Sequence, residues 1–165
     1  MPPLLRCLVD ITLLRKGPGE LPPTPAVVVM CLMLWLGSLL GSLVVLPRFD
    51  ERDAGISLHI ALIGWLLYWA LLLGCRQGAR VRQTLAALMG CGAVISVAML
   101  ATQVLLTPLL GPGLAALLTL LVLVWSVPVK GHIIARALGW HWYAGIVFAM
   151  IVFVLQYTLT QSFSS

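Results

Sequence analysis

Apolar residues form five long runs along this chain, and the polar residues are concentrated between them. A helix needs about 20 apolar residues to cross the hydrocarbon core of a bilayer. Helices are expected rather than barrel strands, because the alternating pattern of a barrel strand is absent. The pattern predicts five transmembrane helices, at residues 26–46, 56–75, 85–107, 114–129 and 143–160.

The segments between the runs contain residues that end helices. PRFDERDAG and TPLLGPG bring proline and glycine to two of the breaks, and RQGARVRQ is short and charged. Short links place consecutive helices antiparallel. We therefore predict an all-α membrane protein, an up-down bundle of five transmembrane helices that forms one integral membrane domain over residues 1–165.

The first residues, PPLLRCLVDITLLRK, carry charges inside an apolar sequence and do not resemble a cleavable signal. This segment is too short and too charged to span a bilayer. Residues 3–16 are predicted to form an amphipathic helix in the membrane interface, with Arg6 and Asp10 paired at i,i+4. A disordered tail is the alternative.

Composition agrees with a bilayer environment. Only 9% of the residues are charged and 61% are hydrophobic, whereas about a quarter of the residues in a soluble domain are charged. The net charge of +5 comes from basic residues scattered singly between apolar runs. Since no basic-aromatic patch or nucleic-acid motif accompanies them, no nucleic-acid partner is expected.

The basic residues are distributed unevenly between the two sides of the predicted bundle. Only Arg48 and Arg52 lie in the first loop, and the third loop and C-terminal tail have none. Lysine and arginine collect in cytoplasmic loops, so we expect a cytoplasmic N-terminus and a C-terminus outside. The basic residues on the side predicted to be cytoplasmic are Arg6, Arg15, Lys16, Arg76, Arg80, Arg82, Lys130 and Arg136.

Four polar residues come from four different spans, about one turn below the predicted outer boundary: Ser42, His59, Gln103 and Gln156. Such groups are able to form a hydrogen-bonded layer or a shallow outer vestibule. The alternative is that water reaches this depth and hydrates each side chain separately.

The sequence GSLLGS in the first span places Gly37 with Gly41, and Ser38 with Ser42, at i,i+4. Small residues at this spacing allow membrane helices to approach closely. The pattern indicates either an interface with an oligomer or partner, or packing inside the same bundle.

The most polar run of the C-terminal half is PVKGHIIARALGWHWYAG. Pro128 is expected to end or kink the fourth span, and the rest is predicted to be an amphipathic turn in the membrane interface. Lys130, His132 and Arg136 are a candidate site for an anionic lipid headgroup. A plain topological anchor is the alternative.

Cofactor and catalytic patterns are weak. No two cysteines form a C-x-x-C pair, and His59 lies on the order of 25 Å from His132 and His141 along the helix axis, too far to share a haem. No charged residue lies inside a predicted span, which disfavours ion-coupled transport. Known catalytic fingerprints are also absent. We therefore expect no cofactor and no enzymatic activity.

The order of a short N-terminal segment followed by five closely spaced spans, with LLRKGPGELPPT and VPVKGHIIARALG, resembles the Yip1-type membrane proteins and their small bacterial relatives. The resemblance implies an integral protein of the bacterial cytoplasmic (inner) membrane that lacks catalytic chemistry and works through partners. It carries over no functional residue.

Together these features predict an accessory, scaffolding or assembly component of a membrane complex. Its expected partners are membrane lipids and other membrane proteins or further copies of itself. The alternative is a small oligomeric channel or a lipid-binding, lipid-handling membrane protein.

Overall fold

The computed structural model describes residues 3–46 and 50–164, and this part of the chain is helical without any β-strand. A five-residue π-helical stretch, here called the π segment, occupies Thr102–Leu106, and short 3-10 turns occupy Pro18–Glu20 and Gly78–Arg80. The α-helices are α1 (Pro3–Thr12), α2 (Pro25–Val45), α3 (Glu51–Gly74), α4 (Val81–Ala101), α5 (Thr107–Leu138) and α6 (Trp142–Ser164).

Four helical stretches within the described residues are long and apolar enough to cross a membrane, as expected of an integral membrane protein. Three of them correspond to α2, α3 and α6. The other runs from Gly78 to Leu138 and contains 61 residues. A straight helix of that length would measure about 90 Å, roughly three times the thickness of the hydrocarbon core.

This long stretch folds back at Gly111. The glycine has φ 81° and ψ 164°, which no helix contains, and Pro112 follows it without a backbone N–H. The Nε2 atom of Gln103 lies 3.0 Å from the Oγ1 atom of Thr119. Sixteen residues of straight helix would separate these two positions by about 24 Å. The α4 helix, the π segment and α5 therefore form an antiparallel hairpin with its tip at Gly111.

Consecutive helices alternate in direction, but neighbours in sequence are not always neighbours in space. The α2 helix packs mainly on α4, and α3 packs mainly on α6. The α5 helix packs against both α4 and α6. We call the end of the bundle that carries Arg76, Arg80, Arg82 and Arg136 the basic end, and the end with the Gly111 tip the far end.

The α1 helix packs into the basic half of the bundle, mainly on α4. Leu8 and Ile11 have no exposed surface. Leu8 fits against Gly90 beside Cys31, and a Cβ atom at Gly90 would lie only 3.1 Å from the Sγ atom of Cys31. Gly90 therefore provides the space that Leu8 occupies.

The charges of α1 pair differently from the prediction. The carboxylate of Asp10 forms its ion pair with Lys16, whose Nζ atom lies 3.2 Å from Oδ2. Arg6 is exposed and takes no part in it. The turn after α1 brings Lys16 back over the helix. Lys16 therefore replaces Arg6, the predicted i,i+4 residue, as the partner of Asp10.

The α3 helix begins earlier than predicted, at Glu51 rather than near residue 56. Asp50 is its N-cap, and its Oδ1 atom accepts a hydrogen bond from the backbone N–H of Asp53 at 2.9 Å. Glu51 and Asp53 lie in the first turn, where negative charge is favourable beside the helix dipole. The acidic residues of PRFDERDAG thus start a helix instead of forming a loop.

The predicted end of the fourth span at residue 129 was wrong, because α5 continues through Pro128 to Leu138. Gly139, in the left-handed region at φ 69°, ends the helix, and the N–H of Trp140 bonds to the carbonyl of Ala135 at 2.9 Å. The extension is buried at residues 131–135. Packing on α6 offsets the backbone hydrogen bond that Pro128 cannot make.

Candidate ligand cavity and basic-end pocket

A cavity of about 930 Å³ opens between α2, α3, α4, the π segment and α5 in the far half of the bundle. We call it the far-end cavity. Its volume is in the range of small-molecule sites. Eight of its lining residues are apolar, among them Trp35 and Leu39, and none of the described residues that line it is charged. The polar lining residues are Ser38, Ser42, Ser57, Ser96, Gln103, Thr107 and Thr119.

The cavity lies where two helices separate. Trp35 of α2 meets Trp65 of α3 edge to face, with ring centroids 4.9 Å apart. Otherwise α2 and α3 make little contact, because α2 packs on α4 and α3 on α6. Since Trp35 also lines the cavity, this aromatic pair closes its deeper side, and the two helices diverge from there toward the far end.

Some of the polar groups in the cavity already have partners. The hydroxyls of Ser38, Ser42 and Thr119 donate to carbonyls of their own helices at 2.7 to 3.0 Å. Thr119 also accepts the hydrogen bond from Gln103. Such back-bonding satisfies a hydroxyl donor inside a membrane helix.

Other polar groups in the cavity lining have no hydrogen-bond partner. Within residues 3–46 and 50–164, the hydroxyls of Ser57 and Ser96 form no hydrogen bond, and Thr107 Oγ1 is buried without a partner. Among the described residues the Oε1 atom of Gln103 likewise accepts no hydrogen bond, while its amide donates through Nε2. Leaving a buried hydroxyl such as that of Thr107 unpaired costs roughly 1–3 kcal/mol, but its Oγ1 atom has almost no accessible surface on the cavity. The groups available to bond a molecule in the cavity are therefore the hydroxyls of Ser57 and Ser96 and the Oε1 atom of Gln103.

The predicted outer polar layer is only partly brought together. Ser42 and Gln103 both line the far-end cavity. His59 is exposed, with Nδ1 2.7 Å from the carbonyl of Gly55 in its own helix. Gln156 donates through Nε2 to the carbonyl of Ile60 at 3.0 Å and joins α6 to α3. The four residues do not form one network.

The sequence interpretation did not assign Ser57, Ser96, Thr107 or Thr119 to the outer polar layer. Isolated hydroxyl residues in membrane helices usually bond to their own backbone, so nothing local distinguished them. Ser38 was assigned to helix packing; it is 7% exposed and lies at the edge of the cavity.

The two glycines of the packing motif predicted in α2, Gly37 and Gly41, have different surroundings. Gly41 faces α4, where its Cβ position lies 3.7 Å from Leu100, whereas Gly37 has nothing within 4 Å. The backbones of α5 and α6 approach each other closely at two glycines. A Cβ atom on Gly145 would meet the carbonyl oxygen of Gly131, and one on Gly131 would lie 2.8 Å from the Cα atom of Ile146.

The three residues predicted to bind an anionic headgroup are not gathered at one point. His132 is only 8% exposed, and its Nε2 atom lies 3.1 Å from the carbonyl oxygen of Lys16. Two turns earlier, Trp125 Nε1 donates to the carbonyl of Thr12 at 3.1 Å. Lys130, two residues from His132, is about 200° around the helix. The rings of Trp125 and His132 thus hold the end of α1 and the chain after it against α5.

Arg136 is exposed and lines a second, smaller space of about 390 Å³, which we call the basic-end pocket. The Nη1 atom of Arg80 donates to the carbonyl of Ala137 at 2.9 Å, so the Arg80 guanidinium lies at the last turn of α5, which also carries Arg136. The lining residues are Gly17, Pro18, Gly19, Glu20, Arg80, Gln83, Thr84, Arg136 and Ala137.

Neither space is built for a metal. Across the described part of the chain, no three His, Cys, Asp or Glu residues are grouped to hold an ion. The four cysteines are free thiols, with Cys31 and Cys91 buried and Cys7 and Cys75 partly exposed.

Comparisons of this chain with protein-family models, with curated proteins and with solved structures gave no match.

Proposed function

We propose that this protein is a non-enzymatic, lipid-handling membrane protein that binds an uncharged amphiphile in the far-end cavity. The observation that carries the proposal is the combination of unpartnered hydroxyls with apolar walls, in a cavity whose described lining residues include no charged side chain. Of the roles considered from the sequence, lipid binding is the one that this geometry favours.

The chemistry of the lining selects the ligand class. A charged headgroup in the low-dielectric interior needs a counter-charge, and the described lining residues supply none. The hydroxyls of Ser57 and Ser96 and the Oε1 atom of Gln103 are complemented by a partner that both accepts and donates hydrogen bonds. A hydroxylated lipid or a prenyl alcohol has such a headgroup, and its chain fits along Trp35 and Leu39.

The proposal includes five spans, with each arm of the Gly111 hairpin counted as one. It also places α1 in the cytoplasmic interface of a bacterial inner membrane, with the C-terminus outside. The eight basic residues on one side of the predicted bundle support this orientation. A reporter fused after Ser165, which lies outside the described residues, tests it: cytoplasmic reporter activity would reverse the orientation.

Retention of lipid during purification tests the proposal. Detergent-purified protein is extracted with organic solvent, and the lipid per mole of protein is measured by mass spectrometry. Ser57→Ala removes only an unpartnered hydroxyl of the cavity lining, and we expect several-fold less bound lipid, since one hydrogen bond contributes about 1 kcal/mol. Ser126→Ala, the same substitution at a serine outside the cavity lining, is the matched control.

A second variant fills the cavity. Ser96→Phe places a ring in the lining, and we expect it to abolish retention while the protein still folds, as judged by circular dichroism. Equal lipid content in the wild type, Ser57→Ala and Ser96→Phe would overturn the proposal. The accessory or scaffolding role and the channel stay predictions, tested by co-purification of a stoichiometric partner and by ion flux in liposomes.

A further inference from the structure

We infer that the basic-end pocket binds a phosphate group through Arg80 and Arg136. This site lies at the other end of the bundle from the far-end cavity and does not depend on the function proposed above. Of the predicted headgroup site, only Arg136 lines this pocket, and Lys130 and His132 do not. Arg80, from the turn before α4, supplies the second positive charge.

Each of the two arginines that line the pocket is placed there by a separate contact. Arg80 is fixed through Nη1 on the carbonyl of Ala137, the residue after Arg136. The stem of Arg136 lies over Gly17, with its Cβ, Cγ and Cδ atoms 3.5 to 3.8 Å from where a side chain at position 17 would begin. The Cβ atom of an alanine there would make ordinary van der Waals contact with the stem, whereas the additional methyl groups of a valine would press on it.

Charge in the pocket favours an anion. Glu20 also lines it, but the ion pair found among the described residues is that of Lys16 with Asp10, so Glu20 neutralises neither guanidinium at contact distance. The charged side chains of the lining thus carry one net positive charge. Arginine presents paired N–H donors that match the oxygens of a phosphate.

Uncharged donors and acceptors complete the lining. Gln83 is held by a bond from Nε2 to the carbonyl of Leu21 at 2.7 Å, and Thr84 donates to the carbonyl of Arg80 at 2.8 Å. The first bond ties α4 to the residue after the 3-10 turn Pro18–Glu20, and the second lies within the start of α4. Gly17, before the turn, contacts Arg136 of α5. The site is therefore assembled from the N-terminal segment, α4 and α5 together.

Binding is tested on the purified full-length protein in neutral detergent at low salt, by titration with short-chain phosphatidylglycerol and, separately, inorganic phosphate. Arg80→Gln/Arg136→Gln should weaken phosphatidylglycerol binding at least tenfold. The matched control, Arg15→Gln/Arg82→Gln, removes the same charge from residues that do not line the pocket and should leave binding unchanged. Gly17→Val, which keeps every charge, should also weaken it.

Equal losses in the two double variants, or no loss in either, would overturn the inference, as would a wild type that binds neither titrant. Displacement of the lipid by inorganic phosphate supports a site for any phosphate, and resistance to displacement supports a lipid phosphodiester. If the double variant does not fold, because Arg80 caps α5, Arg136→Gln alone provides the test. Lipid extracted from the far-end cavity is measured in the same variants and should not change.

Discussion

The contact between α5 and α6 gives the sharpest stability prediction, for the substitution Gly145→Ala. A Cβ atom at this position would meet the carbonyl oxygen of Gly131 and lie 2.8 Å from Ala135 Cβ and 3.1 Å from its backbone N. These obstacles belong to a helix backbone and a short side chain, so they cannot rotate away. The two helices must move apart by several tenths of an ångström.

The expected magnitude follows from two opposing effects. Overpacking of a tight contact costs about 1–3 kcal/mol. Alanine is the better helix former by roughly 0.5–1 kcal/mol. The net result should be a loss of up to about 2.5 kcal/mol in the free energy of unfolding. At Gly37 nothing lies within 4 Å of an added Cβ atom. Gly37→Ala should therefore show only the stabilisation that comes from the higher helix propensity of alanine.

Unfolding by sodium dodecyl sulfate in mixed micelles, followed by fluorescence of the six tryptophans, measures this difference. The same curve recorded by circular dichroism controls for local changes near Trp142. Equal stability of Gly145→Ala and Gly37→Ala would refute the reasoning, since it would mean that α5 and α6 do not touch at these glycines.

Three further predictions concern α1 and the core. Leu8→Ala should lower the free energy of unfolding by about 2–5 kcal/mol, whereas Leu13→Ala, at a side chain 48% exposed, should change it by less than about 0.5 kcal/mol in the same assay. Tyr68→Phe should leave stability unchanged or raise it, because the buried hydroxyl has no partner among the described residues; a clear loss would reveal a missed bond. Maleimide should label Cys7 but not the buried Cys91 of the folded protein. Burial raises the pKa of the Cys7 thiol, so its labelling should increase with pH beyond the range of an ordinary thiol, and mass spectrometry reads out both sites.

Much of the fold could be predicted from local patterns. The apolar runs located every long helix, and the glycine and proline of TPLLGPG marked the hairpin turn at Gly111. Asp50 shows the limit of such reasoning. The segment PRFDERDAG, which contains it, was interpreted as a break between spans, yet an acidic residue followed by an apolar run is also the pattern of a helix start.

The errors came from contacts between distant parts of the chain. His132 looked like a surface residue, and nothing near it in sequence indicates that it would meet the carbonyl of Lys16. The pair of Gly131 and Ala135, at i,i+4, carried the same close-packing signal as GSLLGS, but it lay in a segment interpreted as a turn. The far-end cavity depends on α2 packing against α4 rather than α3, which no single segment encodes.

The single non-helical residue at the tip of the α4–α5 hairpin bears on how this protein enters a bilayer. Leu109 and Leu110 beside the tip are exposed and apolar, so pushing the tip through lipid transfers few polar groups besides the backbone around Gly111. The two arms can partition together as one unit, without waiting for a hydrophilic loop to be translocated. The finished tip also offers a protease no extended strand to cut.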